Sequence, residues 1–377
     1  RFLGESMATL LVKKKLGTMP SRSRLRSILD RTADALLPLV AAPIALLIGA
    51  IMLLLLNRDP IVAYLALVQG AVGDVFSLTQ TMVKATPLLL VGLGICIAFR
   101  GGVINIGGEG QVIVGALASG ALALSYPDTP GIILLPLSLV AGALAGALWG
   151  GIPGFLKAYL KVNEILSTVM MNAIALQLAN FLLRGPLIDP IEIEQGTRIA
   201  QSALFPQAVW LTRLVPRTLL HSGAIIAVVL AILVYIFLWR TTIGYRIRAV
   251  GLNPDASRYA GVKVPFYQAL SLILGGAFAG LAGSVEVMGV QHRLMEGLSG
   301  GYGFAGIVTA LFGKLHPLGA IPASLFFGGL LVGGNRMQRA VQVPSALIDT
   351  MLGLVVLFVV AAEIWAIYRA RRRAMHE

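Results

Sequence analysis

Apolar stretches of membrane-spanning length alternate with short polar joints along most of the 377-residue chain. A bilayer core takes about 20 consecutive apolar residues. Residues 35–56, 165–183, 218–239 and 264–285 each approach or exceed that length without a Lys, Arg, Asp or Glu. Residues 131–156 are long enough even if Pro153 shortens one end. Residues 75–99 form another run once Lys84 is accommodated, because a lysine can snorkel or face a protein interior. Two more runs, 315–335 and 346–368, close the chain, the last with Asp349 and Glu363 inside it. Two pieces are shorter. Residues 111–126 reach only about 24 Å as a helix, against a core of about 30 Å, so the glycine-rich residues 103–110 are expected to complete that crossing. Residues 303–313 are followed, after Lys314 and His316, by another apolar run, the pattern of a short or re-entrant helix. The expected fold is therefore an all-α polytopic membrane protein with about ten transmembrane segments, some short or broken.

Composition agrees and excludes a large soluble domain. The chain is 57% hydrophobic and 12% charged, against roughly 45–50% and about 25% in soluble domains, and its mean hydropathy is +0.85. The net charge of +13 would suggest nucleic acid in a soluble protein. Here the charge is segregated instead. Residues 1–34, 240–263 and 369–377 with Arg100, Lys157, Lys161 and Glu164 hold essentially all of the excess. By the positive-inside rule that face is cytosolic, so both termini are cytosolic and the number of crossings is even. The organisation expected is a basic N-terminal segment at 1–34, a membrane domain at 35–368 and a basic tail at 369–377. No cleavable signal peptide is expected, because the first apolar run starts after 34 residues. Residues 184–217, with Pro186, Pro190, Pro206 and Pro216, form the longest opposite-side loop and read as an external cap. The one cysteine, Cys96, leaves no intrachain disulfide and no cysteine metal site.

Four polar features stand out within this apolar frame. Residues 101–111 (Gly-Gly-Val-Ile-Asn-Ile-Gly-Gly-Glu-Gly-Gln) put Asn105, Glu109 and Gln111 at membrane depth on backbone that glycine keeps from being a regular helix. Such backbone is tolerated only when buried in protein or lining a watery cavity, and an intramembrane carboxylate is a functional candidate. The structural alternative is that Glu109 caps a helix N-terminus or pairs with Arg100. Asn163 and Glu164, followed by Ser167, Thr168 and Asn172, enter a span at helical spacing and face either a pathway or a neighbouring helix. Glu286 and Asp349 are open between pathway groups and ion pairs with arginines such as Arg336 or Arg339. In the loop 240–263, Asn253 suits an N-cap, Pro254 the first helical turn, Asp255 the positive dipole end, and Gly261 a left-handed stop. The short helix so defined presents Tyr259 beside the small Ala256 and Ala260, which suits docking in another protein's groove or, more simply, a capped connector. Gly142, Gly146 and Gly150, and again Gly276 and Gly280, place small residues on one helix face for close packing.

Absences narrow the chemistry. The chain has no Gly-x-x-x-x-Gly-Lys-Ser/Thr loop and only four scattered histidines, at 221, 292, 316 and 376. A passage for solute is favoured over membrane enzymology. An ion-coupled secondary transporter and a channel subunit are the rival readings.

Residues 101–111, residues 163–172 (Asn-Glu-Ile-Leu-Ser-Thr-Val-Met-Met-Asn) and residues 251–261 (Gly-Leu-Asn-Pro-Asp-Ala-Ser-Arg-Tyr-Ala-Gly) together resemble the permease subunits of bacterial ABC importers for simple sugars and nucleosides, which are related to branched-chain amino acid and ribose permeases. The resemblance runs over about residues 35–368, and the Asn-Ile-Gly-Gly-Glu-Gly form is similar to the longer of two paralogous permeases. It implies half of an alternating-access pore in the bacterial cytoplasmic (inner) membrane. The implied partners are a shorter paralogous permease, ATPase subunits that use ATP and Mg, an extracytoplasmic substrate-binding protein and the lipid bilayer, with no nucleic acid and no cofactor on this chain. By the same resemblance, Gly251, Asn253, Pro254, Ala256, Tyr259, Ala260 and Gly261 belong to the helix that couples to an ATPase.

Overall fold

The computed structural model describes residues 47–344 without a break, together with residue 44 and scattered positions between 346 and 361. The expectations for residues 1–34, Asp349, Glu363 and the basic tail fall outside the described residues. The chain divides into two units, one of residues 1–51 and 353–377 and the other Met52–Leu352. The described part of the smaller unit is helical. The larger unit carries the features that bear on function.

That unit is built from helices joined by irregular segments, with isolated bridges Gln201–Met295 and Arg213–His221. Its helices are α1 (Pro60–Val72), α2 (Val75–Arg100), α3 (Gly108–Ser125), α4 (Gly131–Leu160), α5 (Glu164–Leu183), α6 (Pro190–Glu194), α7 (Gly223–Arg240), α8 (Thr242–Leu252), α9 (Pro254–Tyr259), α10 (Val264–Glu286), α11 (Tyr302–Phe312) and α12 (Pro317–Val341). Six helices among the described residues are long and apolar enough to cross a membrane: α2, α4, α5, α7, α10 with its π-helical extension to Gln291, and α12. The shorter apolar helices are α1 and α11.

Helix starts follow local chemistry. Asp74 accepts from the Ser77 N–H at 2.6 Å to start α2, and Asn163 accepts from the N–H groups of Ile165 and Leu166 to start α5. These side chains satisfy donors that a helix N-terminus leaves open. One boundary and one helix differ from expectation. The run expected from residue 218 becomes helical only at Gly223, because Arg213 and His221 bridge across a tight hairpin whose Arg217 has φ +60°. The α1 helix was not marked by run length, although Asp59 caps it and Pro60 opens it.

At the centre, α2 is almost wholly buried and α10 lies against it, α3 and α4. Glycine sets the α4–α10 distance. A Cβ built on Gly276 would lie 2.1 Å from the Gly146 carbonyl oxygen, and one on Gly146 would lie 2.3 Å from the Gly276 oxygen. The same holds between α3 and α10, where a Cβ on Gly115 would be 2.3 Å from Gly280 Cα. The two glycine rows thus serve packing within the chain. Without a hydrophobic gradient between lipid and helix, association depends on such close backbone approach. Replacing Gly276 by Val should therefore cost at least the overpacking penalty of about 1–3 kcal/mol, seen as a lower melting midpoint in detergent, whereas Gly151→Val, with its nearest neighbour atom 3.3 Å away on the flexible Ile273 side chain, should cost much less.

Candidate functional site

The α2 helix ends where Gly102 takes a left-handed φ of +73°, and residues 103–106 are non-helical before α3 begins at Gly108. Apart from the exposed Gly102 and Ile104 this break is largely buried, and its polar side chains are satisfied from within. Asn105, 0% exposed, and Gln111, 1% exposed, form a reciprocal amide pair: Asn105 Nδ2 donates to Gln111 Oε1 at 3.0 Å and Gln111 Nε2 donates to Asn105 Oδ1 at 3.2 Å. Asn105 Oδ1 also accepts from the Gly107 N–H at 3.0 Å. Asn172 of α5 clamps the same segment, accepting from the Gly110 N–H at 2.8 Å and donating to the Ile106 carbonyl at 2.9 Å. Two stretches far apart in sequence are thereby joined. Asn163 and Glu164 lie apart from this cluster: Asn163 caps α5, and Glu164 pairs with Lys157 at 2.7 Å.

Glu109 reaches a different partner. Its carboxylate accepts from Ser299 Oγ at 2.5 Å and from the N–H groups of Gly301 and Gly303 at 3.2 and 2.8 Å. It therefore caps the N-terminus of α11, where backbone donors and the helix dipole favour negative charge. The expected alternative partner, Arg100, instead donates to the carbonyls of Leu315 and Lys314 and lies over the Trp239 ring. Beside the cap, Lys84 Nζ donates to Tyr302 Oη at 2.6 Å, and Tyr302 donates to the buried Glu286 at 3.4 Å. Glu286 thus does not pair with Arg336, which lies 3.6 Å from Asp74. Sequence reasoning missed Ser299 and Tyr302. The local signal was the Ser-Gly-Gly-Tyr-Gly run at 299–303, a backbone suited to a helix entry at a break.

The loop 240–263 holds two helices where one was expected. Thr241 caps α8. Asn253 caps α9 by accepting from the Ala256 N–H at 3.0 Å, Pro254 opens it, and Gly261 with φ +79° follows it. Tyr259 is 94% exposed and Leu252 85%. Ala256 and Ala260 are exposed beside Tyr259. A groove of about 790 Å³ runs between α8, α9 and the start of α10. Gly251, one turn before α9, fits against the break: a Cβ there would be 2.1 Å from the Arg100 carbonyl oxygen and 2.8 Å from Gly102 N.

The cap segment docks on the end of α10. Ser202, Phe205 and Leu211 donate through their N–H groups to the carbonyls of Leu294, His292 and Met288. Two histidines sit at this seam. Trp210 stacks on His292 with centroids 3.9 Å apart. His221, 1% exposed, accepts from the Gly223 N–H through Nδ1 at 3.2 Å, and its Nε2 has no partner. Burial, with the neighbouring His292, pushes the His221 pKa down to about 4, and burial, with Arg213, also lowers that of His292.

Six helices long and apolar enough to cross, packed around broken, internally satisfied backbone, define a multi-pass membrane protein. The chain belongs to the family described as the permease component of the branched-chain amino acid transport system, whose family model matches residues 77–360. It is 36% identical over 340 residues to the glucose ABC transporter permease protein TsgB13 of Haloferax volcanii, covering 88% of each chain. It is 36% identical to the guanosine ABC transporter permease protein NupP of Bacillus subtilis, over 88% of this chain and 94% of that one. It is 33% identical to the nucleoside ABC transporter permease protein NupB of Lactococcus lactis, over 92% of this chain and 96% of that one. Each of these last two species also has a second, less similar permease, 31% and 28% identical over 70% and 71% of this chain. No solved structure matches the chain.

Two predictions follow from the geometry. Glu109→Ala should destabilise the α11 entry by about 1–2 kcal/mol, the size of a lost cap with its dipole interaction, and Glu109→Gln by less, because an acceptor remains; denaturation midpoints in detergent measure both. His221 takes up a proton near pH 6.5 when unfolded but only near pH 4 when folded. Between those values the unfolded state binds more protons, so stability falls as pH drops through this window, by up to about 1.4 kcal/mol per unit. A His221→Gln variant should show a shallower decline in melting midpoint across pH 6.5 to 4.

Proposed function

We propose that this protein is the permease subunit of an ATP-driven ABC importer and forms half of the translocation pathway for a small neutral polar solute, a nucleoside or a simple sugar. The observation that carries this reading is the likeness, along nearly the whole chain, to permeases named for guanosine, nucleoside and glucose transport. The other half is a shorter paralogous permease, a reading supported by the paired permeases of Bacillus subtilis and Lactococcus lactis. ATPase subunits using ATP and Mg, and an extracytoplasmic binding protein that holds the solute tightly, complete the complex. The chain sits in the bacterial cytoplasmic membrane with ten crossings and both termini in the cytosol, which puts the basic segments on the cytosolic face.

In this reading α9 is the helix that docks on the ATPase. The exposed Tyr259 flanked by Ala256 and Ala260 gives it a knob with room around it, and an aromatic anchor suits a central contact. Motion of α9 reaches the membrane interior through Gly251, which rests on the backbone of Arg100 and Gly102. The break at 101–107 then moves with Asn172 of α5 and, through Glu109, with α11. The pathway opens or closes as these elements shift together.

The test is reconstitution in vesicles with the second permease, the ATPase and the binding protein, with separate arms of labelled guanosine and glucose. Uptake of one of them should require ATP. Tyr259→Ala and Ala256→Arg should each lower uptake and binding-protein-stimulated ATP hydrolysis about tenfold, the effect of losing a contact of about 1.4 kcal/mol. Unchanged coupling in both variants would remove the docking role, and uptake driven by an ion gradient without ATPase would identify a secondary transporter instead.

A further inference from the structure

The outward faces of the long helices are not alike. On α4 the exposed positions, from Ile132 through Leu137, Leu144, Leu148, Ile152 and Phe155, are apolar, and on α7 they run from Ile225 to Ile236 without a polar side chain. Such faces suit lipid tails. The exposed face of α5 differs. Leu166, Met170 and Phe181 lie on it, but so does Gln177, exposed within the span, with the partly exposed Asn180 one turn later. Gln177 sits six residues before the end of α5 at Leu183, about 9 Å inside the helix end at 1.5 Å per residue. An amide in contact with hydrocarbon at that depth forfeits its hydrogen bonds.

The two amides barely satisfy one another. Asn180 Nδ2 lies 3.5 Å from Gln177 Oε1, at the outer limit of a hydrogen bond, and their other donors and acceptors have no partner among the described residues. Gln177, Asn180, Phe181, Arg184 and Gly185 line one shallow cleft of about 610 Å³. Phe181 is 69% exposed there. Arg184 is held 3.2 Å from Glu296, so the cleft presents no unpaired guanidinium. An aromatic face, two amides with free edges and a compensated charge match a neutral ring compound with one flat face and polar edges.

We propose that the exposed face of α5 is a wall of the aqueous passage and that Gln177, Asn180 and Phe181 form a solute site near the end of α5 that leads into the cap segment. The ring stacks on Phe181 while the amides of Gln177 and Asn180 exchange hydrogen bonds with its edge. A nucleobase and a pyranose share this chemistry. The proposal rests on the permease reading, and it names the part of this chain that meets the solute.

Thiol labelling tests it, because Cys96 is buried and is the sole cysteine of the sequence. In the reconstituted complex, Gln177→Cys and Phe181→Cys are treated with a membrane-impermeant sulfonated thiosulfonate, with Leu148→Cys on α4 as the lipid-facing control. Both cleft variants should react at least tenfold faster than the control. Guanosine or glucose, whichever the wild-type complex imports, should slow that reaction. Gln177→Ala and Phe181→Leu should each raise the KM for uptake about tenfold with a smaller effect on maximal ATP hydrolysis. Labelling no faster than Leu148→Cys means that lipid or the second permease covers the face and overturns the proposal; so does fast labelling that neither solute slows, with KM unchanged. Co-purification of the partner subunits shows whether each variant assembles, and Asn180→Cys replaces one that does not. A wild-type complex without ATP-dependent uptake would refute the permease reading instead, an outcome separate from the labelling pattern.

Discussion

A polypeptide that stops being helical inside a membrane must find partners for its backbone without help from water, and the packing of α2, α3 and α5 depends on how that requirement is met between residues 101 and 110. The side chain of Asn172 supplies both an acceptor, to the Gly110 N–H, and a donor, to the Ile106 carbonyl. Asn105 and Gln111 satisfy each other and the Gly107 N–H. A broken helix held by amide side chains is a defined structure, not a loose loop. The same contacts fix α5, α3 and the end of α2 relative to one another, so the position of α5 follows that of the break.

Glycine extends this coupling at van der Waals range. Gly251 against Arg100, Gly303 against Glu109 and Gly276 against Gly146 are all places where a methyl group would collide with backbone. Contacts of that closeness transmit displacement with little slack, because packed interiors resist compression. From the distinctive stretches 163–172 and 251–261, Asn172 and Gly251 are the residues that meet the break at 101–111.

Much of the helical frame was legible from the sequence, because a span of about 20 apolar residues leaves a strong signal. The α2, α4, α5 and α10 helices begin and end close to where hydropathy puts them. Shorter elements were harder. The α1 helix, at 13 residues, falls under any length criterion and shows itself only in the Asp59-Pro60 start. Leu219 and Leu220 look like the start of α7, yet they lie in a hairpin whose pairing depends on the His221–Arg213 bridge. At the site, the capping of α9 could be read locally because every participant lies within nine residues. The partner of Glu109 could not, since Ser299, Gly301 and Gly303 are about 190 residues away. Spacing identifies a carboxylate that needs a partner; only the fold decides which helix end receives it.

The cap on α11 bears on what that helix end can bind. An open helix N-terminus is a natural seat for phosphate, because its backbone donors and dipole favour negative charge. Here that seat is filled by a side chain of the same polypeptide. The half-helix keeps its place with its N-terminal donors occupied, so this helix end offers no free seat to an anion.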